Sequence, residues 1–430
     1  MREKISIGLL GMGVVGGGVA KILEEKQVLL ANQIGVPVDI RGVLVRDSSK
    51  KRSYEFSVSK FVETADDILN DPTVDIVVEV MGGEHPALEY ILKAVKSKKH
   101  VVTANKEVMA KHGPEIFALA RENNVRVLFE ASVAGGTPIV SPLMRDLVSN
   151  EIKSIRAIIN GTTNYILSRM ALEQADYGDV LRDAQDLGYA EADPTNDVEG
   201  IDASYKLAIL STLAFRAQVK NNDVYHEGIT KLSSKDFEYS DELGYAIKLL
   251  AIATRTNGEV QTRVHPALLK KSEMLAKVDG VLNAVEVETD LTDNVLFHGP
   301  GAGSMPTTSA VVADIVNIAR NVAGNVAYPD PVKLSEKITV QSINNLISRY
   351  YFRLEAKDQP GVLAEIASIL GENQISIESF IQKNVNDSKG TAELVIMTHQ
   401  AKEEAFQKAL AEIEGLAVVI NLGNMIRVEG

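Results

Sequence analysis

The chain has 430 residues, 45% hydrophobic and 24% charged, an ordinary globular composition with room for roughly two to four domains. Its formal net charge of -13 argues against nucleic acid or an anionic membrane as the main partner, because both need a basic face. It contains no cysteine, which excludes disulfides, zinc-thiolate sites and cysteine nucleophiles and fits a reducing cytoplasm.

Ile5 to Leu10 is an apolar run of strand length, followed by Gly11-Met12-Gly13-Val14-Val15-Gly16 and a helical stretch from Gly17 to about Leu30. Strand, glycine turn and helix in this order suit a dinucleotide: Gly11 permits the turn, Gly13 lets backbone approach a pyrophosphate, and Gly16 lets helix pack on strand. Strands are expected at Val36–Val45, Asp75–Val80, His100–Thr103 and Val125–Glu130, with helices at Ala87–Ser97 and Glu115–Asn123. Strands alternating with helices imply a parallel sheet covered on both faces, here over residues 1–135. At the end of the second strand, Arg46 stands where an acid would meet ribose hydroxyls, so it either meets a 2′-phosphate or faces solvent. Asp47 beside it keeps NAD open, and Lys50, Lys51 and Arg52 add positive charge. Thr103-Ala104-Asn105-Lys106 follows a strand, where Lys106 is either a ligand-reaching cation or a surface lysine.

Glu130-Ala131-Ser132-Val133-Ala134-Gly135-Gly136-Thr137 reads as a hinge or as a loop whose carbonyls hold a hard cation. From 136 to 306 the pattern is mixed, with strands at Ser154–Ile159, Val260–Arg263 and Val281–Thr289 and helices at Asn164–Leu172 and Asp202–Phe215, an α+β domain. Asn160-Gly161-Thr162-Thr163-Asn164 opens a helix, as a cap or as a substrate-positioning turn. Gly188 to Lys206 carries five carboxylates and then one lysine; Asp202 and Lys206, four apart, share a helix face. A lysine among carboxylates keeps its proton and can give it to an oxygen that gains negative charge; the plainer reading is a solvated acidic loop with a helix-surface ion pair. After Gly299-Pro300-Gly301-Ala302-Gly303, a helix over 307–321 is expected to return to the first domain. Ala327–Pro331 reads as linker, within a connection spanning 322–349. Residues 350–430 run strand, helix, strand, strand, helix, strand, a ferredoxin-like βαββαβ module with a tight turn at Asp358-Gln359-Pro360-Gly361. No apolar run reaches transmembrane length, and no H-x-x-x-H pair or G-x-S-x-G elbow supports a zinc enzyme or serine hydrolase.

Together these stretches resemble homoserine dehydrogenase along essentially the whole chain. The resemblance rests on Gly11–Gly16, Thr103–Lys106, Asn160–Leu167 and Gly188–Lys206, the last two being specific to that family. The tail resembles an ACT domain, a module that binds small regulatory amino acids. The fold implied is α/β: a Rossmann dinucleotide-binding domain (1–135), an α+β substrate and dimerisation domain (136–306), and a ferredoxin-like ACT regulatory domain (350–430). With no aspartate kinase region ahead of it, the chain resembles the monofunctional type. The activity implied is NAD(P)H-dependent reduction of L-aspartate 4-semialdehyde to L-homoserine, towards threonine, methionine and isoleucine.

On matching positions, Lys206 resembles the proton donor, with Asp202 orienting it and contacting substrate. Glu191, Asp197 and the backbone at Gly188 resemble substrate contacts, and Lys106 a lysine near cofactor and substrate. Gly11, Gly13, Val14, Val15, Gly16, Arg46, Thr103 and Gly303 fall at cofactor-contacting positions, with NADP implied and NAD open. Glu130, Val133, Gly135 and Thr137 match a monovalent-cation loop for Na+ or K+. Asp358, Gln359, Pro360 and Gly361 match the ligand turn of ACT domains, with threonine the implied effector. A homodimer or homotetramer is also implied. Two other readings stand beside this one: a different ACT-tailed dehydrogenase acting on a hydroxy acid, and a non-catalytic sensor of amino acids or redox state.

Overall fold

The computed structural model describes residues 2–47, 61–326, 332–334, 337–386 and 388–430. Lys50, Lys51, Arg52 and the expected linker Ala327–Pro331 lie outside the described residues. The chain forms two compact units: Met1–Ile155 with Tyr205–Val224 and Asn283–Ile338, and Arg156–Ser204 with Tyr225–Leu282 and Thr339–Gly430.

The first unit begins with β1 (Ile5–Leu10), α1 (Val14–Glu25), α2 (Gln27–Ile34), β2 (Val38–Leu44), β3 (Phe61–Val62), α3 (Asp66–Leu69), β4 (Ile76–Glu79), α4 (Ala87–Lys96), β5 (His100–Thr103), α5 (Lys106–Glu122) and β6 (Val127–Leu128). The six strands are parallel in the order β3-β2-β1-β4-β5-β6, the doubly wound arrangement that places ligands beyond the carboxyl ends of the strands. β1 is buried along its whole length, so it reads as a continuous apolar run rather than an alternating one.

Beyond β7 (Ile152–Ile158) come α6 (Gly161–Glu173), α7 (Tyr177–Asp186), α8 (Thr195–Val198), α9 (Ile201–Phe215), β8 (Tyr225–His226), α10 (Ser234–Glu242), β9 (Tyr245–Thr256), β10 (Glu259–Lys270), β11 (Leu282–Thr289), β12 (Asn294–Pro300) and α11 (Ser304–Gly324). Within the first unit, Val311, Ile315, Ile318 and Ala319 of α11 share one apolar core with Ile5, Ile7 and Leu9 of β1 and with Val19 and Leu23 of α1. The chain ends with β13 (Thr339–Val340), β14 (Ile347–Lys357), α12 (Val362–Glu372), β15 (Ile377–Asn386), β16 (Thr391–Thr398), β17 (Ala401–Lys402), α13 (Glu403–Glu414) and β18 (Val419–Glu429).

Several expected boundaries move. The helix expected from Gly17 to Leu30 is two helices that meet at Lys26, where Glu24, Glu25 and Lys26 interrupt the apolar stripe. α5 starts at Lys106 rather than Glu115: the Asn105 side chain accepts from Val108 N–H at 3.1 Å and caps it, and the helix carries Pro114 in its interior. The strand expected over 125–130 shortens to Val127–Leu128 and passes into a 3-10 turn at Glu130–Ser132. β9 has no counterpart in the sequence reading, because seven of its residues in succession, Ile247 to Ala253, are buried and the run lacks the alternation of a half-buried strand.

In the second unit β9 and β10 form a long hairpin, registered from Glu259↔Thr256 to Lys270↔Tyr245. β10 also pairs in parallel with β18, through Ala267↔Arg427 and Leu268↔Val428. The sheet continues as β18-β14-β16-β15, so the C-terminal module is one piece of sheet with the β9–β10 hairpin. One face of the module carries Tyr350, Phe352, Leu354 and Ala356 against Ile366 and Leu370 of α12 and Phe406 and Ile413 of α13. The alternate residues point to the other face, where Arg353 pairs with Asp236 of α10 at 3.1 Å and with Glu393 at 2.7 Å.

Arg427 of β18, 1% exposed, bonds Glu403 of α13 at 2.6 and 2.8 Å and Glu227 at 2.9 and 3.1 Å. Burial raises the affinity of Glu403 for a proton, but the bonds and charge of Arg427 outweigh it and hold the carboxyl below its ordinary value. Truncating one partner of such a pair leaves a buried charge uncompensated. Arg427→Ala is therefore expected to cost about 3–5 kcal/mol in urea unfolding at neutral pH. Because the folded-state pKa of Glu403 is depressed, its contribution is present above the ordinary glutamate range and is lost as pH falls through the folded value, so the gap to wild type should narrow in acid.

Candidate active site

In the first unit the dinucleotide turn has the geometry its sequence requires. Gly11 has φ +103, and a Cβ there would lie 3.0 Å from the Val80 carbonyl oxygen. A Cβ on Gly16 would lie 2.1 Å from the Gly11 carbonyl oxygen, so any side chain would push α1 off the turn. Gly13 is the N-cap of α1 and has open space where a Cβ would stand, while Val14 in the first turn is 69% exposed. A helix N-terminus over an open glycine turn is suited to a pyrophosphate. Val15 packs partly against the core, and Arg46 and Asp47 are exposed just past β2.

The neighbouring strand ends hold a residue the sequence reading did not single out. Glu79, fully buried at the end of β4, accepts from Thr103 Oγ1 at 2.6 Å and from Met81 N–H at 2.8 Å. Burial pushes its carboxyl up, against the pull of these bonds. Asn105 donates to the Gly83 carbonyl at 2.7 Å, and Lys106 opens α5, half-buried. Glu79 thereby ties the 81–83 turn to Thr103, which fixes the backbone on both sides of the strand ends. A lone acid inside the apolar run Ile76–Val80 was the available signal.

The Glu130 carboxylate accepts three backbone N–H groups, from Ile139 at 2.7 Å, Val140 at 2.9 Å and Ser141 at 2.7 Å. Its side chain thus organises the backbone of 139–141, and the cation expected from the sequence would draw on neutral oxygens of Glu130, Val133, Gly135 and Thr137. Ala134 and Gly135 both have positive φ, 53 and 31, which curls the loop. Among the described residues no group of three or more His, Cys, Asp or Glu could hold a metal ion, so a cation here would rest on such neutral oxygens. Gly303, φ +121, is the N-cap of α11.

In the second unit Asn160 is the N-cap of α6, its Oδ1 accepting from Thr163 N–H at 2.9 Å. The same side chain does a second thing: Nδ2 donates to Asp197 at 2.7 Å and to Asp202 at 2.9 Å. Two carboxylates from different turns are held beside one amide, and Asp202 is 3% exposed. Asp202 lies in the first turn of α9, and Lys206 follows one turn later on the same helix face, half-buried. The loop before them is pinned by Gln185, which donates to the Glu191 carbonyl at 3.0 Å, and by Thr162, which donates to the Tyr189 carbonyl at 2.7 Å. Tyr189 packs against Tyr165 with ring centroids 4.8 Å apart. Gly188 has φ +76, and the Glu191 side chain is exposed. In the C-terminal module, Asp358, Gln359, Pro360 and Gly361 form an exposed turn between β14 and α12, with Gly361 in a left-handed conformation at φ +98.

A family profile described as homoserine dehydrogenase matches residues 138–316, the NAD-binding domain of homoserine dehydrogenase matches 11–130, and an ACT domain matches 350–418. A homoserine dehydrogenase of Neisseria gonorrhoeae is 45% identical over 432 residues, covering 99% of each chain. The chain belongs to the homoserine dehydrogenase family. It is accordingly an oxidoreductase with a nucleotide-binding domain and a C-terminal ACT domain. Among solved structures, a homoserine dehydrogenase from Thiobacillus denitrificans superposes with a TM-score of 0.93 at 41% identity, covering 99% of this chain and 98% of that one. A hyperthermophilic archaeal homoserine dehydrogenase in complex with NADPH gives 0.63 at 27% identity, covering 77% of this chain and 100% of that one. Among the described residues no helix is long and apolar enough to cross a membrane.

The cap and the clamp of Asn160 can be separated. Asn160→Ala removes both and is expected to cost about 1 kcal/mol of stability from the cap, with a fall in kcat/KM for homoserine oxidation of about tenfold or more from the freed carboxylates. Asn160→Ser keeps a capping oxygen but is too short to hold Asp197 and Asp202 together, so stability should recover more than kcat/KM. Equal recovery of both would show that only the cap matters.

Proposed function

We propose that the chain reduces L-aspartate 4-semialdehyde to L-homoserine with NADPH, on the route to threonine, methionine and isoleucine in the cytoplasm, with Lys206 as proton donor. The observation that carries this reading is the Asn160 clamp, which holds Asp197 and Asp202 at the head of the helix that bears Lys206. As the aldehyde carbon is reduced, its oxygen gains negative charge. Lys206 stabilises that oxygen and gives it a proton, and Asp202 orients the lysine from one turn away. Asp197, Glu191 and the Gly188 backbone bind the amino-acid end of the substrate, where a carboxylate meets the ammonium and sets orientation. Lys106 contributes positive charge at the strand ends.

A bound nicotinamide supplies the hydride. Gly11, Gly13, Val14, Val15 and Gly16 would hold the pyrophosphate, with Thr103 and Gly303 as further contacts. The exposed guanidinium of Arg46 past β2 favours a 2′-phosphate, and NADPH is what the archaeal relative is described as holding. Na+ or K+ would sit on oxygens of Glu130, Val133, Gly135 and Thr137 and stiffen that loop. The Asp358–Gly361 turn would bind threonine, and the protein would work as a homodimer or homotetramer.

Lys206→Ala is expected to lower turnover about 10²–10⁴-fold while fluorescence titration shows unchanged NADPH binding. Near-normal turnover would remove Lys206 from this role, and a preference for NADH would remove Arg46 from its own. For the effector, the full chain is the right material, because β18 pairs with β10 and its deletion would open the sheet. Asp358→Ala is expected to weaken threonine inhibition with kcat unchanged in its absence; inhibition equal to wild type would place the effector elsewhere.

A further inference from the structure

The first unit contains a cavity of about 560 Å³ beside the edge strand β6, lined by Arg126, Arg145, Arg216 and Arg320 together with Glu130 and Asp314. The four arginines come from four separate places: β6 at its start, the turn over 142–146, the end of α9 and the body of α11. Convergence of four guanidiniums against two carboxylates is opposite in sign to a chain of net charge -13. The dinucleotide turn and the Asp197–Asp202 clamp do not use these arginines.

The two carboxylates in the wall are bonded to backbone and are outnumbered by the arginines. The Glu130 carboxylate is engaged by the three amides of Ile139, Val140 and Ser141. Asp314, 4% exposed, accepts from Glu130 N–H at 2.9 Å, so it too is bonded within the wall. Arg145 pairs with Asp146 at 3.0 Å but stays largely exposed, and Arg320 donates to the Gln33 carbonyl at 3.0 Å through Nε. Arg216 has neither a hydrogen bond nor an ion pair among the described residues, and its backbone is left-handed at φ +52, just past the end of α9. A glycine or asparagine suits that position better, so the arginine side chain is held there at some cost in backbone energy.

We propose that this cavity binds a small metabolite carrying two or more phosphate or carboxylate groups. Guanidinium forks match both groups in bidentate geometry, and the volume lies in the range of small-molecule sites rather than of a single buried ion. The shared wall residue Glu130 places the ligand directly behind the backbone of 139–141.

The test is isothermal titration of the full chain at low ionic strength, first saturated with NADP+ or, separately, NAD+, so that phosphate cannot report on the dinucleotide turn. The probes are pyrophosphate and citrate, which distinguish phosphate from carboxylate ligands, with chloride at matched ionic strength as control. Saturable binding of either probe, weakened about tenfold or more in Arg145→Ala/Arg216→Gly, is expected. Arg145 is exposed and glycine suits the backbone at 216, so this variant should fold; its thermal transition and NADP+ affinity, equal to wild type, verify that. Arg126→Lys provides a second variant that keeps charge and loses the fork. Absence of saturable binding in wild type, a signal reproduced by chloride, or equal affinity in both variants overturns the proposal.

Discussion

One side-chain amide organises the acidic end of this protein. Left to themselves, Asp197 and Asp202 would repel each other and swing to solvent. Asn160 donates to both, at 2.7 and 2.9 Å, and its own oxygen caps α6. The cap fixes the amide, and the amide fixes the acids. Preorganised charge of this kind needs no rearrangement to meet a ligand, and it acts most strongly where burial lowers the local dielectric.

Glu79 plays a related part in the dinucleotide-binding unit. A buried acid in a parallel sheet is costly unless it is bonded, and here it joins the Thr103 hydroxyl to the 81–83 backbone at the strand ends. Glu130 does the same for the amides of 139–141. In each case an acid that looks catalytic by residue type has a structural task. Residue type alone would misassign both; their hydrogen-bond partners assign them.

The C-terminal module is bound into its unit by charge as well as by sheet. β18 runs beside β10, Arg427 reaches Glu227 and Glu403, and on the opposite face Arg353 and Glu393 meet Asp236, Lys235 and Tyr239. This explains why every residue of β16 is buried, although a free ferredoxin-like module has one bare sheet face. Buried ion pairs of this kind register two surfaces against each other at little net gain in stability, since desolvation offsets their attraction.

Local chemistry made much of this legible in the chain. The glycine turn after an apolar strand, the alternation of strands and helices, the βαββαβ order of the tail and the acid-rich approach to Lys206 each follow from backbone sterics and side-chain periodicity within short windows. So did the membership of the homoserine dehydrogenase family, carried by Asn160–Leu167 and Gly188–Lys206. What stayed hidden depends on distant partners. β9 is covered on both faces and loses the alternation that marks a strand; Asn160 reads as a cap until Asp197 and Asp202 arrive beside it. Burial, which no window of sequence records, pushes the Glu79 and Asp314 carboxyls up, and four arginines scattered from 126 to 320 share one cavity because the chain returns to the same sheet edge. Propensity and periodicity act over a few residues, whereas burial, dielectric and convergence of charge exist once the chain has closed on itself.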